Sequence, residues 1–196
     1  MMGRVKYHIN RKIFFILFSI FLAVGISGIV GKQYPSIDAY YSLDNENSEA
    51  YLMVEGDIKA PRKKVWNVLT TTDTTKICTH TEDVLKFTIT KTGENTYEAY
   101  YVFDYPWPFS DRWQKLEIIH DRSNFKIYWK RIDGTIERNT GYYKLDEHDI
   151  YTTLNYKVVF DPGIKYVPES LVNYVVKIQA PRVIKNIRRC VDKLSE

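Results

Sequence analysis

The residues best suited to chemistry in this chain of 196 residues are four histidines. General acid–base catalysis needs a titratable side chain that is aimed at the substrate. The histidines lie near the N-terminus, in a loop, at the end of a predicted strand and in a predicted hairpin, and none stands within an apolar face beside a carboxylate. They are His8, His80, His120 and His148. We therefore interpret each as a solvated turn residue and predict no catalytic residue.

Motifs for metals and cofactors are also missing from the sequence. The segment HTED, residues 80–83, has suitable residue types, but its spacing does not place ligands on one face of a helix or strand. The sequence contains no Gly-rich phosphate loop and no nucleophile elbow, and Asp161-Pro162-Gly163 is a turn signal. The sequence therefore predicts neither a metal site nor a cofactor.

The two cysteines, Cys78 and Cys190, are far apart in the sequence. In an oxidising compartment they permit a single disulfide. We prefer the interpretation of two buried free thiols, because free cysteine is among the most buried residue types.

The segment DYPWPFSDRW, residues 104–113, concentrates rigid aromatic side chains between two predicted strands. Its two prolines cannot donate hydrogen bonds to a sheet, so the segment has to leave the sheet here. One interpretation is that the aromatic side chains of this turn line the mouth of a cavity. Alternatively, the aromatic side chains pack under the first helix, and Arg112 pairs with a neighbouring aspartate at the surface.

An apolar run near the N-terminus, residues 13–30, has no charged residue over 18 positions. This length is at the lower limit for a membrane-spanning helix and exceeds the usual apolar core of a signal peptide. Basic residues precede the run, and they predict a cytoplasmic N-terminus with the rest of the chain on the extracytoplasmic side, periplasmic or extracellular. We interpret residues 1–31 as a signal-anchor. A cleaved signal peptide, with a secreted or periplasmic domain, is the alternative.

The charge distribution argues against a nucleic-acid partner. The net charge is +4, but five basic residues and no acidic residue lie in the first 32 positions, so the remaining chain carries −1. An exported domain without a basic excess lacks the electrostatic footprint of a nucleic-acid-binding protein.

Hydrophobic periodicity divides the rest of the chain into a polar linker, residues 32–49, and one domain, residues 50–196. The domain opens with a strand and then a helix that begins at Pro61. Six further strands of period two follow, and a long C-terminal helix starts at Pro168 and is kinked near Pro181. Short turns between consecutive strands indicate an antiparallel meander. We predict an α+β fold with about seven strands.

Three stretches resemble the START/SRPBCC superfamily, whose helix-grip fold wraps a curved antiparallel sheet around a long C-terminal helix. VEGDIKAPRKKVWNVL is similar to the opening strand, Ala-Pro turn and first helix. YPWPFSDRW is similar to a proline-flanked aromatic turn of the START lipid-binding branch, with Ser110 and Arg112 in place. YKVVFDPGIKYVPESLVN resembles the last strand, the Asp-Pro-Gly turn and the start of the final helix. The resemblance spans residues 50–194.

The resemblance implies a monomeric, non-enzymatic protein that holds a lipid or other hydrophobic ligand between the sheet and the C-terminal helix, with lipid transfer as an open question. The residues expected to contact the ligand are Phe87, Tyr101, Phe103, Trp107, Phe109, Arg112, Leu116, Ile127, Trp129, Leu154, Tyr156, Val175 and Ile178.

Two alternatives stay open. A cyclase, aromatase or hydrolase of the same superfamily needs a histidine, aspartate or glutamate that faces the cavity. A ligand-free interaction module would have a cavity closed by its aromatic side chains, smaller than about 300 Å³.

The C-terminal helix carries a basic outer side in addition to its apolar stripe. We expect this side to meet anionic lipid headgroups, and the Ala180-Pro181 region to act as a hinge for ligand entry. An ordinary solvated helix face with a kink is the alternative. The basic residues are Lys177, Arg182, Lys185, Arg188, Arg189 and Lys193.

Overall fold

The structure, a computed structural model, describes residues 37–43, 50–71, 84–105, 110–164, 177 and 180–193. All of them belong to the second of two compact units, residues 33–196. The described strands are β1 Ile37–Leu43, β2 Ala50–Ile58, β3 Val84–Lys91, β4 Thr96–Phe103, β5 Arg112–Asp121, β6 Lys126–Gly134, β7 Arg138–Glu147 and β8 Thr152–Asp161. The described helices are α1 Arg62–Thr70 and α2 Ala180–Lys193.

The strands form one antiparallel sheet in the order β1-β2-β8-β7-β6-β5-β4-β3. From β3 to β8 each strand pairs with the next along the chain, and β2 returns to pair with β8. The sheet is curved and is accompanied by the C-terminal helix, so the predicted α+β class and antiparallel meander are confirmed.

The strand count corrects the prediction, since the described sheet has eight strands and not about seven. The additional strand is β1, which lies inside the segment that we interpreted as a linker. Ile37 and Ala39 are partly buried against the core, whereas Asp38 and Tyr40 are exposed. β1 pairs with β2 over seven residue pairs, which compensates for its polar composition.

The helices pack on the inner face of the sheet and close the core. Pro61 stands at the start of α1, where its missing N–H removes no helical hydrogen bond. Apolar side chains at helical spacing then form the buried stripe of each helix. In α1 these are Val65, Trp66, Val68 and Leu69, and in α2 they are Ala180, Ile184, Ile187, Cys190 and Val191. α2 contacts α1, β1 and β2, and α1 also contacts β7.

α2 approaches β2 closely at Gly56. A Cβ atom at this position would overlap the side chain of Ile184, which is fully buried. One residue further along β2, the carbonyl oxygen of Asp57 accepts a hydrogen bond from Arg188 Nε at 2.7 Å. The absence of a side chain at Gly56 therefore sets how near the helix lies to the sheet.

The described part of the C-terminal helix is Ala180–Lys193, which includes Pro181, and Lys177 before it is π-helical. The predicted helix start at Pro168 lies outside the described residues, so the hinge stays a prediction. On the basic side of the helix, Arg182 and Arg188 are half-buried. The exposed basic residues are Lys177, Lys185, Arg189 and Lys193.

Cys190 is disulfide-bonded, and no cysteine among the described residues is free. This corrects the expectation of free thiols. Cys78 is the only other cysteine in the chain and lies outside the described residues, so it is the one partner available within the chain.

No helix within the described ranges is long and apolar enough to cross a membrane. The apolar run of residues 13–30, on which the predicted signal-anchor depends, lies outside those ranges.

Candidate functional site

A cavity of about 150 Å³ lies between the inner face of the sheet and the C-terminal end of α1. The six strands β3 to β8 all contribute to its wall, because their inward residues alternate with outward ones at period two. The described residues that line it are Leu69, Thr70, Ile89, Tyr101, Phe103, Gln114, Leu116, Ile118, His120, Ile127, Trp129, Asn139, Tyr143 and Tyr156.

The structure brings part of the predicted ligand-contacting set together in this wall. The predicted residues that line the cavity are Tyr101, Phe103, Leu116, Ile127, Trp129 and Tyr156. Phe87 and Leu154 belong instead to the packed core, where the ring of Phe87 lies 4.7 Å from that of Tyr101. Arg112 is not in the wall, and its Nη1 donates to the carbonyl oxygen of Thr135 at 3.3 Å. Trp107, Phe109, Val175 and Ile178 lie outside the described residues.

Sequence reasoning missed several polar side chains of the wall, namely Thr70, Gln114, His120, Asn139 and Tyr143, and three apolar ones, Leu69, Ile89 and Ile118. A signal for two of them was present. Gln114 and His120 stand two residues away from Leu116 and Ile118 in β5, so the period of the strand places all four on one face. Because both side chains are polar, the hydrophobic pattern does not mark them as inward-facing.

Three polar side chains of this wall are linked by hydrogen bonds, Gln114 being buried and Trp129 and Asn139 partly buried. Trp129 Nε1 donates to Asn139 Oδ1 at 2.8 Å, and Asn139 Nδ2 donates to Gln114 Oε1 at 3.1 Å. An indole nitrogen can only donate, so it determines which end of the Asn139 amide faces Trp129. That orientation in turn determines the orientation of Gln114. The amide nitrogen of Gln114, a residue that is 1% exposed, has no hydrogen-bond partner among the described residues.

Gly141 leaves space for the indole ring of Trp129. Trp129 and Gly141 are opposite each other in β6 and β7. A Cβ atom on Gly141 would come within 2.6 Å of Trp129 Cζ2. The missing side chain therefore lets the indole lie over β7, where its nitrogen reaches Asn139.

Three tyrosines supply most of the remaining polar groups in the wall. Burial raises the pKa of Tyr156 to about 12. Burial, and then the neighbouring tyrosines, raise the pKa of Tyr101 and Tyr143 above the usual range. The rings of Tyr143 and Tyr156 lie 5.1 Å apart, and that of Trp129 lies 5.0 Å from Tyr143. No described residue forms a hydrogen bond with the hydroxyl of Tyr143 or Tyr156, and both are uncharged at neutral pH.

His120 lines the cavity, which corrects its interpretation as a solvated turn residue. Its ring lies 4.4 Å from that of Tyr97 and 6.1 Å from that of Trp66. Burial, and then the positive charge of Arg122, lower the pKa of His120 to about 4. The imidazole is therefore neutral at pH 7, and no charged side chain stands among the described residues of the wall.

We expect the protein to lose stability through His120 as the pH falls from about 6.5 to about 4. The native state binds this proton more weakly than the unfolded chain, whose histidine titrates near its ordinary value, so acid favours unfolding. With partial solvent screening taken into account, the loss between pH 7 and pH 4.5 is about 1 to 2 kcal/mol. Urea unfolding across this range should show it. The variant His120→Phe should have a shallower pH dependence, and an unchanged dependence would contradict the assignment.

A second depression lies at the surface beside Arg62, Asp146, Glu147, His148 and Asp149. It is open to solvent, and it contains an ion pair of 3.1 Å between Arg62 and Glu147. His148 is exposed, as predicted for a turn residue, and its ring stacks on that of Tyr151. Within the described ranges no group of histidine, cysteine, aspartate or glutamate residues could hold a metal ion.

No protein-family model matches the chain, and no similar sequence is found among curated proteins. Solved structures do match. The STAR-related lipid transfer protein from Xanthomonas axonopodis aligns with a TM-score of 0.63 and 17% identity, over 80% of this chain and 93% of that one. Human StAR-related lipid transfer protein 5 aligns with a TM-score of 0.62 and 13% identity, over 82% and 84%.

A third match is the Zhui aromatase/cyclase from Streptomyces sp. R1128, with a TM-score of 0.60 and 14% identity, over 74% of this chain and 95% of that one. Together these structures define the class of architecture. The chain has the START/SRPBCC helix-grip fold, as its three characteristic sequence stretches predicted.

Proposed function

We propose that the chain is a binding protein for a hydrophobic small molecule, which it holds in the cavity between the sheet and α1. The observation that carries this proposal is a cavity whose wall is mostly apolar and aromatic but also includes polar side chains, among them Gln114, Tyr143 and Tyr156. A ligand in the cavity can form hydrogen bonds with these side chains, whereas a fully packed apolar core has no room for a ligand.

The size of the cavity limits what enters it. Sites for drug-sized ligands usually exceed about 300 Å³. An apolar cavity of the size found here, 150 Å³, holds a molecule as large as benzene. We propose that the ligand inserts a ring-sized apolar part. A whole diacyl lipid needs the wall to open. The Xanthomonas and human neighbours are named as lipid transfer proteins, which supports a hydrophobic ligand class.

The small volume also favours a second candidate, a ligand-free helix-grip module whose aromatic side chains close the cavity and whose outer surface binds a partner protein. This candidate predicts that the purified chain carries no small molecule.

We propose that binding, and not catalysis, is the activity. The described wall contains no carboxylate, and an imidazole with a pKa of about 4 is a weak general base at neutral pH. The aromatase/cyclase among the structural neighbours makes an enzyme the alternative. If the protein converts a bound molecule to a product and a His120 variant does not, the protein is an enzyme.

Native mass spectrometry of the full chain, purified from its host, tests the binding function. We expect a 1:1 adduct with a hydrophobic molecule. Leu116→Phe should fill the cavity and abolish the adduct, because Leu116 points inward. Ile119→Phe, on the same strand but at an outward position that is 42% exposed, is the matched control and should keep it. A chain without any adduct, under conditions that retain its fold, would favour the interaction module.

We also propose that the domain lies on the extracytoplasmic side of a membrane, anchored through residues 1–31. The disulfide at Cys190 supports this proposal, because disulfides persist in oxidising compartments. The exposed lysines and arginine of α2 would then be available to anionic headgroups. A phosphatase that is active only after export, fused to the C-terminus, should be active. A stable but inactive fusion would contradict the topology.

A further inference from the structure

The cavity contains one hydrogen-bond donor whose direction is imposed by its neighbours. Trp129 Nε1 can only donate, Asn139 therefore accepts from it through Oδ1, and Asn139 Nδ2 donates to Gln114 Oε1. The carbonyl end of Gln114 is thus occupied, and its NH₂ end has no partner among the described residues. Unlike a hydroxyl, which rotates to donate or accept, this amide offers only a donor to a molecule in the cavity.

The wall around this donor favours an uncharged molecule. No lysine, arginine, aspartate or glutamate stands among its described residues, and the tyrosines and His120 are neutral at pH 7. A carboxylate or phosphate inside the cavity would lose its hydration without gaining a cation. The volume of 150 Å³ and the rings of Trp129, Tyr143 and Tyr156 suit one flat ring.

From this geometry we propose that Gln114 is a specificity-determining residue that recognises an uncharged acceptor, such as a ketone carbonyl, attached to a ring-sized apolar group. The inference rests on the proposed ligand-binding function and names the chemistry of its ligand. Asn139 is a positioning residue, because it keeps the Gln114 amide from turning its oxygen toward the cavity.

Three probes of nearly identical shape separate the possibilities. Acetophenone carries the neutral carbonyl, α-methylstyrene replaces that oxygen with a methylene group, and benzoate replaces the methyl ketone with a carboxylate. The full chain, in detergent and labelled with 5-fluorotryptophan, reports binding through the fluorine resonance of Trp129 in the cavity wall. Trp129→Phe assigns that resonance. Because the signal comes from the wall itself, partitioning of the probes into micelles does not mimic it.

We expect acetophenone to shift the Trp129 resonance with saturation and benzoate to leave it unchanged. Gln114→Met, which keeps the volume but removes the donor, should weaken acetophenone binding about tenfold and α-methylstyrene binding less than twofold, as for the loss of one hydrogen bond. Leu116→Met, on the same face of β5, is the matched control and should change both affinities equally. Asn139→Leu should reduce the preference for acetophenone while Gln114 is still present.

If Gln114→Met does not fold, selective ¹⁵N-glutamine labelling of the unaltered chain provides the same test. Acetophenone, but not α-methylstyrene, should move the side-chain amide resonance of Gln114 downfield. If acetophenone and α-methylstyrene both bind and Gln114→Met weakens them equally, ligand binding stands and the role of Gln114 is overturned. If no probe moves the Trp129 resonance of the folded chain, the binding function falls, and the proposal falls with it.

Discussion

Replacing Cys190 with alanine is expected to lower the free energy of unfolding by about 2 to 5 kcal/mol. Cys190 is buried in α2 and disulfide-bonded, and the only other cysteine is more than a hundred positions earlier in the chain. A disulfide that closes so long a loop restricts the unfolded chain strongly, and its removal restores that freedom. Urea unfolding monitored by tryptophan fluorescence measures the difference.

The variants Cys78→Ala and Cys78→Ala/Cys190→Ala provide the control. If one disulfide joins these residues, each single variant and the double variant should lose nearly the same free energy, because the bond is lost only once. Alkylation of the unreduced native chain should add no mass. Additive losses, or alkylation without reduction, would show that the thiols are free.

Replacing Gly56 with alanine should destabilise the domain by about 1 to 3 kcal/mol, although alanine is the smallest possible addition. The new methyl group would overlap Ile184, a β-branched and fully buried side chain of α2 that has little freedom to move aside. The helix would have to shift away from β2. Chemical denaturation measures the loss.

Gly93→Ala is the matched control, because a Cβ atom there would be in ordinary contact, 3.4 Å from the side chain of Thr96. It should change stability by less than about 0.5 kcal/mol. In a double-mutant cycle, Ile184→Ala should remove part of the penalty at Gly56, since it vacates the space that the methyl group needs. If the two substitutions change the free energy of unfolding additively, the loss at Gly56 does not come from overlap with Ile184.

The sequence predicted most of the sheet because period-two alternation is strong wherever one face of a strand is buried and the other is wet. It missed β1 for a physical reason. Ile37 and Ala39 mark the inner face of that edge strand, but the polar residues 44–49 that follow it resemble a linker. β1 is a strand because it pairs with β2, and the residues of β1 taken alone do not indicate this pairing. The disulfide was missed because the spacing of two cysteines along the sequence does not show whether they come close enough to bond in the folded chain.

Part of the aromatic and aliphatic wall of the candidate site was predictable from the sequence, whereas the amides of Gln114 and Asn139 were not. The inner face of the sheet was indicated by hydrophobic side chains such as Leu116, Ile127 and Trp129. Gln114 and Asn139 lie in strands where a polar side chain usually faces water, and their role depends on a hydrogen bond between β5 and β7. Because β5 and β7 are separated by β6, this contact becomes apparent only in the folded sheet.

The pairing of β2 with β8 has a consequence for how the protein is made. β3 to β8 join neighbour to neighbour, but the register that places Leu52 opposite Val158 links residues about a hundred positions apart. During synthesis the meander can assemble as it emerges, whereas β1, β2 and α1 have to wait for the last strand. In the topology proposed above, with the N-terminus retained in the cytoplasm, β1, β2 and α1 would be the first segments of the domain to be exported and would stay unpaired longest. We expect their folding to wait for β8, which makes β2 the segment that a chaperone has most reason to shield.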